Sequence, residues 1–459
     1  MDHSERLGVY WDVWRATKDD RAGIESRQRR RARDVVAFAR RHSRFYRRHY
    51  ADVPENASSL RELPPVTKPE LMANFDDVVT DPVVTKADVD AFVADESRVG
   101  DLFLDRYPVW TTSGTTGEPG VFLKDDREMA VLGALGAFRA GLSWLSLRDV
   151  PGIVRNGARE GIVAVTGGHY AAVASVERDR KESTVNADRV RAFSVQQPFE
   201  DLVAELDAFQ PAMLVGYATV LHALAREQAA GRLDIDPALL VVSAETVSRA
   251  VKREIADAFD CTVRENYGAT EFTGAAYECA AGNLHVNADW VVLEPVDANY
   301  DPVPPGVQST TVLLTNLANH VQPIVRYDLG DSVTVHEEPC ECGSPLPVVE
   351  VAGRSDDLLS FVDDAGDPVT VFPLAIGSVA EKAVGVHSVQ LVQTAPATLR
   401  VRLTAEGNAD EQAVYDRVAA ALSSFLAERD VIGVTIEHAT EPPRRDSASG
   451  KLRKVISEQ

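Results

Sequence analysis

Between residues 105 and 290, short apolar runs alternate with stretches of helical period, and this alternation constrains the fold more than any other feature of the chain. Residues 150–154, 162–166, 212–215 and 239–243 read as strands, and 199–209, 219–230 and 248–260 read as helices. Strands separated by helices cannot close as tight hairpins. They need crossover connections, and these build a parallel sheet with helices on its faces. Residues 21–50 also read as helical, with a short helix near 68–74. Residues 284–335 are strand-rich, with a turn at Pro302, Pro304, Pro305 and Gly306. The pattern changes after residue 353. Segments 358–363, 386–393, 398–404 and 432–438 read as strands, and 374–383 and 410–428 as helices. The expected architecture is α/β. A large N-terminal domain, 1–352, would carry a β-rich part at about 284–352, and a small α+β domain would span 353–459.

Residues 111–120, Thr-Thr-Ser-Gly-Thr-Thr-Gly-Glu-Pro-Gly, concentrate hydroxyls and glycines. Short hydroxyls and bare backbone N–H groups are what a loop needs to wrap a polyphosphate, and glycine lets the backbone approach closely. Strand-like 107–110 precedes the run and helix-like 127–139 follows it, the setting of a strand-to-helix phosphate loop. No Gly-Lys-Ser/Thr closes it, so it is not a Walker A loop.

Four more motifs follow in order: Asn266-Tyr-Gly-Ala-Thr-Glu271, Arg326-Tyr-Asp-Leu-Gly-Asp331, Gly353-Arg-Ser-Asp-Asp357 and Ser449-Gly-Lys-Leu-Arg-Lys454. Together with the 111–120 run, this order and spacing resembles the acyl-adenylate-forming superfamily of acyl-CoA synthetases, peptide-synthetase adenylation domains and luciferases. Gly120 stands where most acyl-CoA synthetases carry lysine. His42-Ser-Arg-Phe-Tyr46, Leu63-Pro-Pro-Val-Thr-Lys68 and Phe372-Pro373 resemble the phenylacetate–CoA ligase branch. The resemblance covers nearly the whole chain and implies an adenylate-forming enzyme fold whose small C-terminal domain is mobile.

The resemblance also implies roles for individual residues. Ser113, Gly114, Thr115, Thr116 and Gly117 would hold the β- and γ-phosphates of ATP. Tyr267, with Gly268 beside it, would stack on adenine, next to the Ala244-Glu245 pair, where relatives place Gly-Gly-Glu. Thr270 would bond the α-phosphate, and Glu271 would offer Mg²⁺ a hard oxygen. Asp331 would accept bonds from both ribose hydroxyls, with Arg354 nearby. Asp328 stands where relatives have a small or cationic residue, and no role attaches to it. Lys451 would bridge the carboxylate and the α-phosphate, and Asp356 would be the hinge about which the small domain turns. His169 and Tyr170 lie where relatives line the acid pocket, although 150–185 departs from the phenylacetate pattern.

The implied reaction is ATP-dependent carboxylate–CoA ligation on an aryl or arylalkyl acid. One alternative is an adenylyltransferase that loads a carrier protein or adenylylates a deazaflavin-type coenzyme. Another is a non-catalytic nucleotide-binding descendant, against which Lys451 and Glu271 argue. The chain ends eight residues after Lys451, so no attached carrier domain is expected.

Cys279, His285, Cys340 and Cys342 make a sound ligand set for structural Zn²⁺. By residue type alone, core or turn cysteines are an equal reading, and similar sets in relatives favour zinc. Cys261 reads as a buried, inert thiol.

Net charge is −22, which argues against nonspecific nucleic-acid binding. The basic run 27–33, continued at Arg40, Arg41, Arg44, Arg47 and Arg48, is interleaved with Val35, Val36, Phe38, Ala39 and Phe45 and reads as a solvated helix face. Only nine of the 48 basic residues are lysine. Abundant carboxylates with little lysine resemble proteins of salt-loving organisms, where salt screens self-repulsion. The chain is accordingly expected to gain stability from dilute buffer to molar KCl, and equal stability in both would refute a halophilic origin. The mostly charged residues 1–48 predict no signal peptide, and the apolar stretch 129–138 is too short to span a bilayer. The expected setting is cytoplasmic, with no membrane partner. Relatives are often homodimers, and nothing in the residues tests that state.

Overall fold

The computed structural model describes residues 3–54, 59–112, 120–352, 359–363, 367–407, 409–444 and 453–458. Strands β1 (Val109–Thr111) and β2 (Val121–Leu123) pair antiparallel, Thr111 opposite Val121. The hydroxyl- and glycine-rich run therefore joins the two arms of a hairpin. It does not lead from a strand into a helix as its flanks suggest. The helix Asp126–Leu135 starts only after β2, capped by the Asp125 carboxylate on the Glu128 N–H. Residues 113–119 lie outside the described residues.

The main sheet is built from β3 (Glu160–Ala164), β4 (Val190–Ser194), β5 (Met213–Gly216), β6 (Leu239–Val242), β7 (Thr262–Ala269), β8 (Phe272–Glu278) and β9 (Leu284–Val286). Strands β10 (Val291–Val296), β11 (Thr311–Asn316) and β12 (Tyr327–Asp328) form a separate three-stranded sheet. Strands β13 (Ser332–His336) and β14 (Val348–Ala352) return to the main sheet, whose nine strands run β13-β14-β9-β8-β7-β6-β5-β3-β4. From β4 to β7 every neighbouring pair is parallel, and from β7 to β13 every pair is antiparallel.

The parallel half is the part that alternation predicts, and its strands bury apolar side chains such as Val163, Phe193, Leu214 and Leu240 between helices. The crossover helices have local start and stop signals. Phe199–Phe209 carries Glu200 and Asp201 in its first turn and ends at left-handed Gln210. Arg249–Phe259 is capped by the Ser248 hydroxyl and ends at left-handed Asp260. Strand β4 and the helix Ala171–Glu182 are present without having been read from the pattern.

Residues 150–154 are not a strand. They lie in the short helix Val150–Arg155, with Pro151 in its first turn, where a missing N–H costs nothing. Val150 and Val154 are surface residues, so their apolar character reports no buried pairing. Nor is the basic helix simply a solvated face. Arg27 bonds Asp12 and Asp19 at 2.5 Å each, Arg44 and Arg48 pair with Asp77, and Arg31 is buried against Asp289.

In the C-terminal part, β15 (Leu359–Val362) and β16 (Pro368–Val371) form a hairpin. Strands β17 (Val386–Ala395), β18 (Thr398–Ala405), β19 (Thr435–His438) and β20 (Val455–Ser457) form a sheet ordered β19-β18-β17-β20. The helices Pro373–Glu381 and Glu411–Ala427 pack on it. This part meets the main sheet through Phe372 against Phe199 at 5.4 Å, Gln196 against Ser378 at 3.2 Å and the Lys382 ammonium on the Gly167 carbonyl at 2.9 Å. Among the described residues, no helix is long and apolar enough to cross a membrane.

Candidate active site

The segments following β3, β5 and β6, together with the far end of β7, gather at the carboxyl ends of the parallel strands, where open α/β sheets bind ligands. They carry Gly167–Tyr170, Tyr217–Thr219, Ser243–Glu245 and Tyr267. The β1–β2 hairpin joins this edge: the Thr111 N–H donates to the His169 carbonyl at 2.8 Å, and Thr111 bridges to Tyr170. Thr112 closes the hairpin on Gly120, backbone to backbone at 2.9 Å and through its hydroxyl at 2.8 Å. Ser113, Gly114, Thr115, Thr116 and Gly117 lie outside the described residues.

The motif at 266–271 is the turn of the β7–β8 hairpin. Ala269 pairs with Phe272, which leaves Thr270 and Glu271 at the tip. The register shifts at Gly268, and a Cβ there would lie 2.1 Å from the Thr273 carbonyl oxygen. Only glycine fits this bulge. The Tyr267 hydroxyl donates to the Asp331 carboxylate at 3.0 Å, joining two motifs 64 residues apart. Burial and that carboxylate push the Tyr267 phenol well above its usual value, so it stays protonated.

Glu271 is buried, and the Tyr327 hydroxyl donates to its carboxylate. Burial raises the Glu271 carboxyl, against the Tyr327 bond and the fields of Lys124 and Lys68. The Glu271 carbonyl accepts from Lys124 Nζ at 3.0 Å and Asn316 Nδ2 at 3.1 Å. A carboxylate on a hairpin tip held by these bonds is a donor of the hard type Mg²⁺ takes.

Asp328 has a local task. Its carboxylate accepts from the Thr311 hydroxyl at 2.5 Å, the Gly330 N–H at 3.0 Å and the Tyr300 hydroxyl at 2.9 Å. These bonds fix the turn at Gly330, whose φ is +72°, and so aim Asp331.

Some expected residues are engaged elsewhere. The Glu245 carboxylate accepts from the Thr219 N–H at 2.8 Å and the Thr219 hydroxyl, capping the helix Ala218–Ala229. Ala244 adopts φ +63°, a strained left-handed conformation for a residue with a Cβ. His169 is 1% exposed and packs on Phe92 at 5.1 Å. Burial pulls its imidazole below the usual value, against a bond to the Asp95 backbone. It lies in the interior, whereas Tyr170 is half-buried, 5.8 Å from the Lys382 ammonium.

Arg354, Asp356 and Lys451 lie outside the described residues. Both flanks of the Lys451 segment are held by buried Gln390, whose amide donates to the carbonyls of Arg444 at 3.0 Å and Arg453 at 2.6 Å.

Cys279, His285, Cys340 and Cys342 converge, their ligand atoms all within 4.8 Å of one another. Cys279 and Cys340 sulfurs are 3.8 Å apart, and Cys342 Sγ is 3.3 Å from His285 Nε2. Tetrahedral zinc with standard bond lengths needs ~3.8 Å between sulfurs and ~3.5 Å between sulfur and nitrogen. His285 Nδ1 bonds the Leu346 carbonyl at 2.8 Å, which leaves Nε2 free to ligate. The residues fit the ion. They link the β8–β9 turn to the β13–β14 turn at one end of the main sheet. Cys261 is not part of this cluster, and burial pushes its thiol up to about 12.

Motif reading did not single out Lys124, Glu128, Asn316 or Asn319, and gave Tyr327 no role within its motif. The available signal was polar residues interrupting apolar runs, as in Phe-Leu-Lys-Asp and Leu-Thr-Asn-Leu-Ala-Asn, because such residues need partners once buried.

No protein-family model matches the chain. It is 29% identical over 164 residues to Protein CapK of Staphylococcus aureus, a match spanning 34% of each chain. Among solved structures it is similar to 2-hydroxyisobutyryl-CoA ligase in complex with 2-HIB-AMP and CoA, with TM-score 0.57 and 21% identity, covering 96% of this chain and 91% of that one. The same ligase in the postadenylation state with R3-HIB-AMP gives TM-score 0.53 and 20% identity, over 94% and 89% of the two chains. At these identities the likeness is one of architecture, and it establishes that this chain shares the fold of that CoA ligase.

Proposed function

We propose that the chain is an ATP-dependent carboxylate–CoA ligase acting on an aryl or arylalkyl acid, as in the phenylacetate–CoA ligase branch. The observation that carries the reading is the hydrogen bond between Tyr267 and Asp331, with Glu271 on the same hairpin tip. On this reading, the bond brings a ring suited to stack on adenine beside a ribose acceptor, with a carboxylate suited to a metal at the hairpin tip.

In the first half-reaction a substrate carboxylate oxygen bonds to the α-phosphorus of ATP and pyrophosphate leaves. In the second, a thiol sulfur bonds to the acyl carbon and AMP leaves. Tyr267 and Asp331 hold the nucleoside, with Gly268 and Ala244-Glu245 beside the base and Arg354 near the ribose. Ser113–Gly117 hold the outgoing phosphates, Thr270 bonds the α-phosphate, and Tyr170 borders the acid. Glu271 would ligate Mg²⁺, which supplies charge neutralisation at the phosphates when bound. Lys451 bridges the reacting carboxylate and the α-phosphate, then departs as residues 353–459 turn about Asp356 to admit CoA. Cys279, His285, Cys340 and Cys342 hold a structural zinc.

The test is pyrophosphate release from Mg-ATP across aryl, arylalkyl and fatty acids in high KCl, with and without CoA. Acid-dependent release with CoA-dependent AMP formation is expected. Lys451→Ala should slow adenylation by about 10²–10³-fold, as loss of one charge-stabilising donor does. Full activity in that variant would overturn the mechanism. AMP formation indifferent to CoA would instead point to a carrier or coenzyme acceptor.

A further inference from the structure

Directly behind Glu271 lies a closed polar network in which every member is fully buried: Lys124, Glu128, Asn316 and Asn319 each have 0% exposure. Lys124 Nζ is 2.9 Å from Glu128 Oε1, and Asn316 Nδ2 reaches the same oxygen at 3.0 Å. Asn319 Nδ2 donates to Glu128 Oε2 at 2.6 Å and to the Leu123 carbonyl at 2.7 Å. Lys124 and Asn316 then spend a second hydrogen bond each on one acceptor, the Glu271 carbonyl.

A buried Lys–Glu pair is a poor way to gain stability, because desolvation offsets most of the attraction and an apolar pair of equal volume does as well or better. Its value lies in defining one geometry. The two-residue tip at Thr270 and Glu271 would otherwise be the least constrained part of its hairpin. Here, two donors hold the Glu271 backbone while Tyr327 holds its side chain. Lys124 also directly follows β2 and stands 5.0 Å from the Trp110 ring on β1. The network thus ties the base of the hydroxyl- and glycine-rich hairpin to the hairpin tip that carries Glu271.

We propose that Lys124 and Glu128, with Asn316 and Asn319, are positioning residues that set the Glu271 carboxylate for Mg²⁺ in Mg-ATP. This rests on the ligase reading above insofar as it takes Glu271 for the metal ligand. Lys124 does not touch substrate and acts through the Glu271 main chain.

The informative variant is the double substitution Lys124→Met with Glu128→Gln, which removes the ion pair without stranding a buried charge. Two readouts are needed: the Mg²⁺ concentration giving half-maximal pyrophosphate release, and calorimetric affinity for ATP with Mg²⁺ and with a chelator. The expected result is a thermal midpoint near wild type, with 10–100-fold weaker apparent affinity for Mg²⁺ in both readouts, the scale on which outer-shell partners act. A folded double variant with wild-type Mg²⁺ constants would reduce the network to a structural role and overturn the proposal. If the double variant does not fold, Asn316→Leu removes the second donor to the Glu271 carbonyl and must shift the same constants in the same direction, or the proposal fails. A wild type that binds ATP equally with and without Mg²⁺ would overturn Glu271 as a metal ligand, and this inference with it. A wild type that binds Mg-ATP but releases no pyrophosphate with any acid would overturn only the ligase reading, and the calorimetry would then decide the positioning role.

Discussion

Asp289→Ala is expected to cost about 3–5 kcal/mol of stability, the penalty for removing one partner from a buried ionic cluster. Asp289 has 0% exposure and accepts a fork from Arg139, at 2.7 Å through Nη1 and 2.9 Å through Nη2. Arg31 approaches the same carboxylate at 3.4 Å and donates to the Asp289 carbonyl at 2.5 Å. Arg31 also pairs with Asp12 on the first helix and stacks over Trp290 at 3.6 Å. One carboxylate therefore ties both N-terminal helices and the segment after Leu135 to the start of β10. Its removal takes the paired carboxylate from Arg139 and one of two from Arg31, and burial does not discharge either guanidinium at neutral pH.

The pH dependence follows from the sign of the shift. Burial would raise the Asp289 carboxyl, but Arg139 and Arg31 outweigh it and hold it below the usual carboxylate range. The stability it contributes is present above the unfolded value, near 4, and is lost as pH falls through the lower folded value. The gap between wild type and Asp289→Asn in denaturant titrations should therefore be widest at neutral pH and should close in acid. A loss under about 1 kcal/mol in Asp289→Ala would show that the cluster relaxes without it.

Stripping the Cys279–His285–Cys340–Cys342 cluster is the second large effect expected. Structural zinc contributes about 10–16 kcal/mol of apparent binding energy in small zinc-finger peptides, part of which is folding energy. Here the ion would join two turns of a sheet that is already large, so a partial share of that range is expected as a fall in thermal midpoint. Metal analysis should find one zinc per wild-type chain. Cys340→Ser should lose it and melt lower, while pyrophosphate release per folded molecule at low temperature stays close to wild type, because the cluster gathers around Cys279 at the end of β8 opposite to the tip that carries Glu271. A metal-free wild type together with normal melting of Cys340→Ser would sink the zinc assignment.

The strand–helix alternation reports local burial, and residues 199–209 and 248–260 fell within a residue of the helices they predicted. The same reading failed at 150–154, because an apolar run can sit exposed on a proline-started helix and composition cannot see solvent. That the flanks of the 111–120 run pair as a hairpin was not legible, because the pairing depends on strands on both sides of it.

By itself, the sequence determined the α/β class, the order of the motifs and a cysteine–histidine set able to take a metal. Each is encoded in neighbouring residues or in residue type. Only the tertiary structure decided that Tyr267 meets Asp331, that Asp328 braces the turn beneath Asp331, that His169 turns inward, and that Lys124, Glu128, Asn316 and Asn319 close behind Glu271. Most of those contacts join residues tens to nearly two hundred positions apart or depend on which way a side chain faces. Both are set by strand order and packing, and local periodicity carries no record of either.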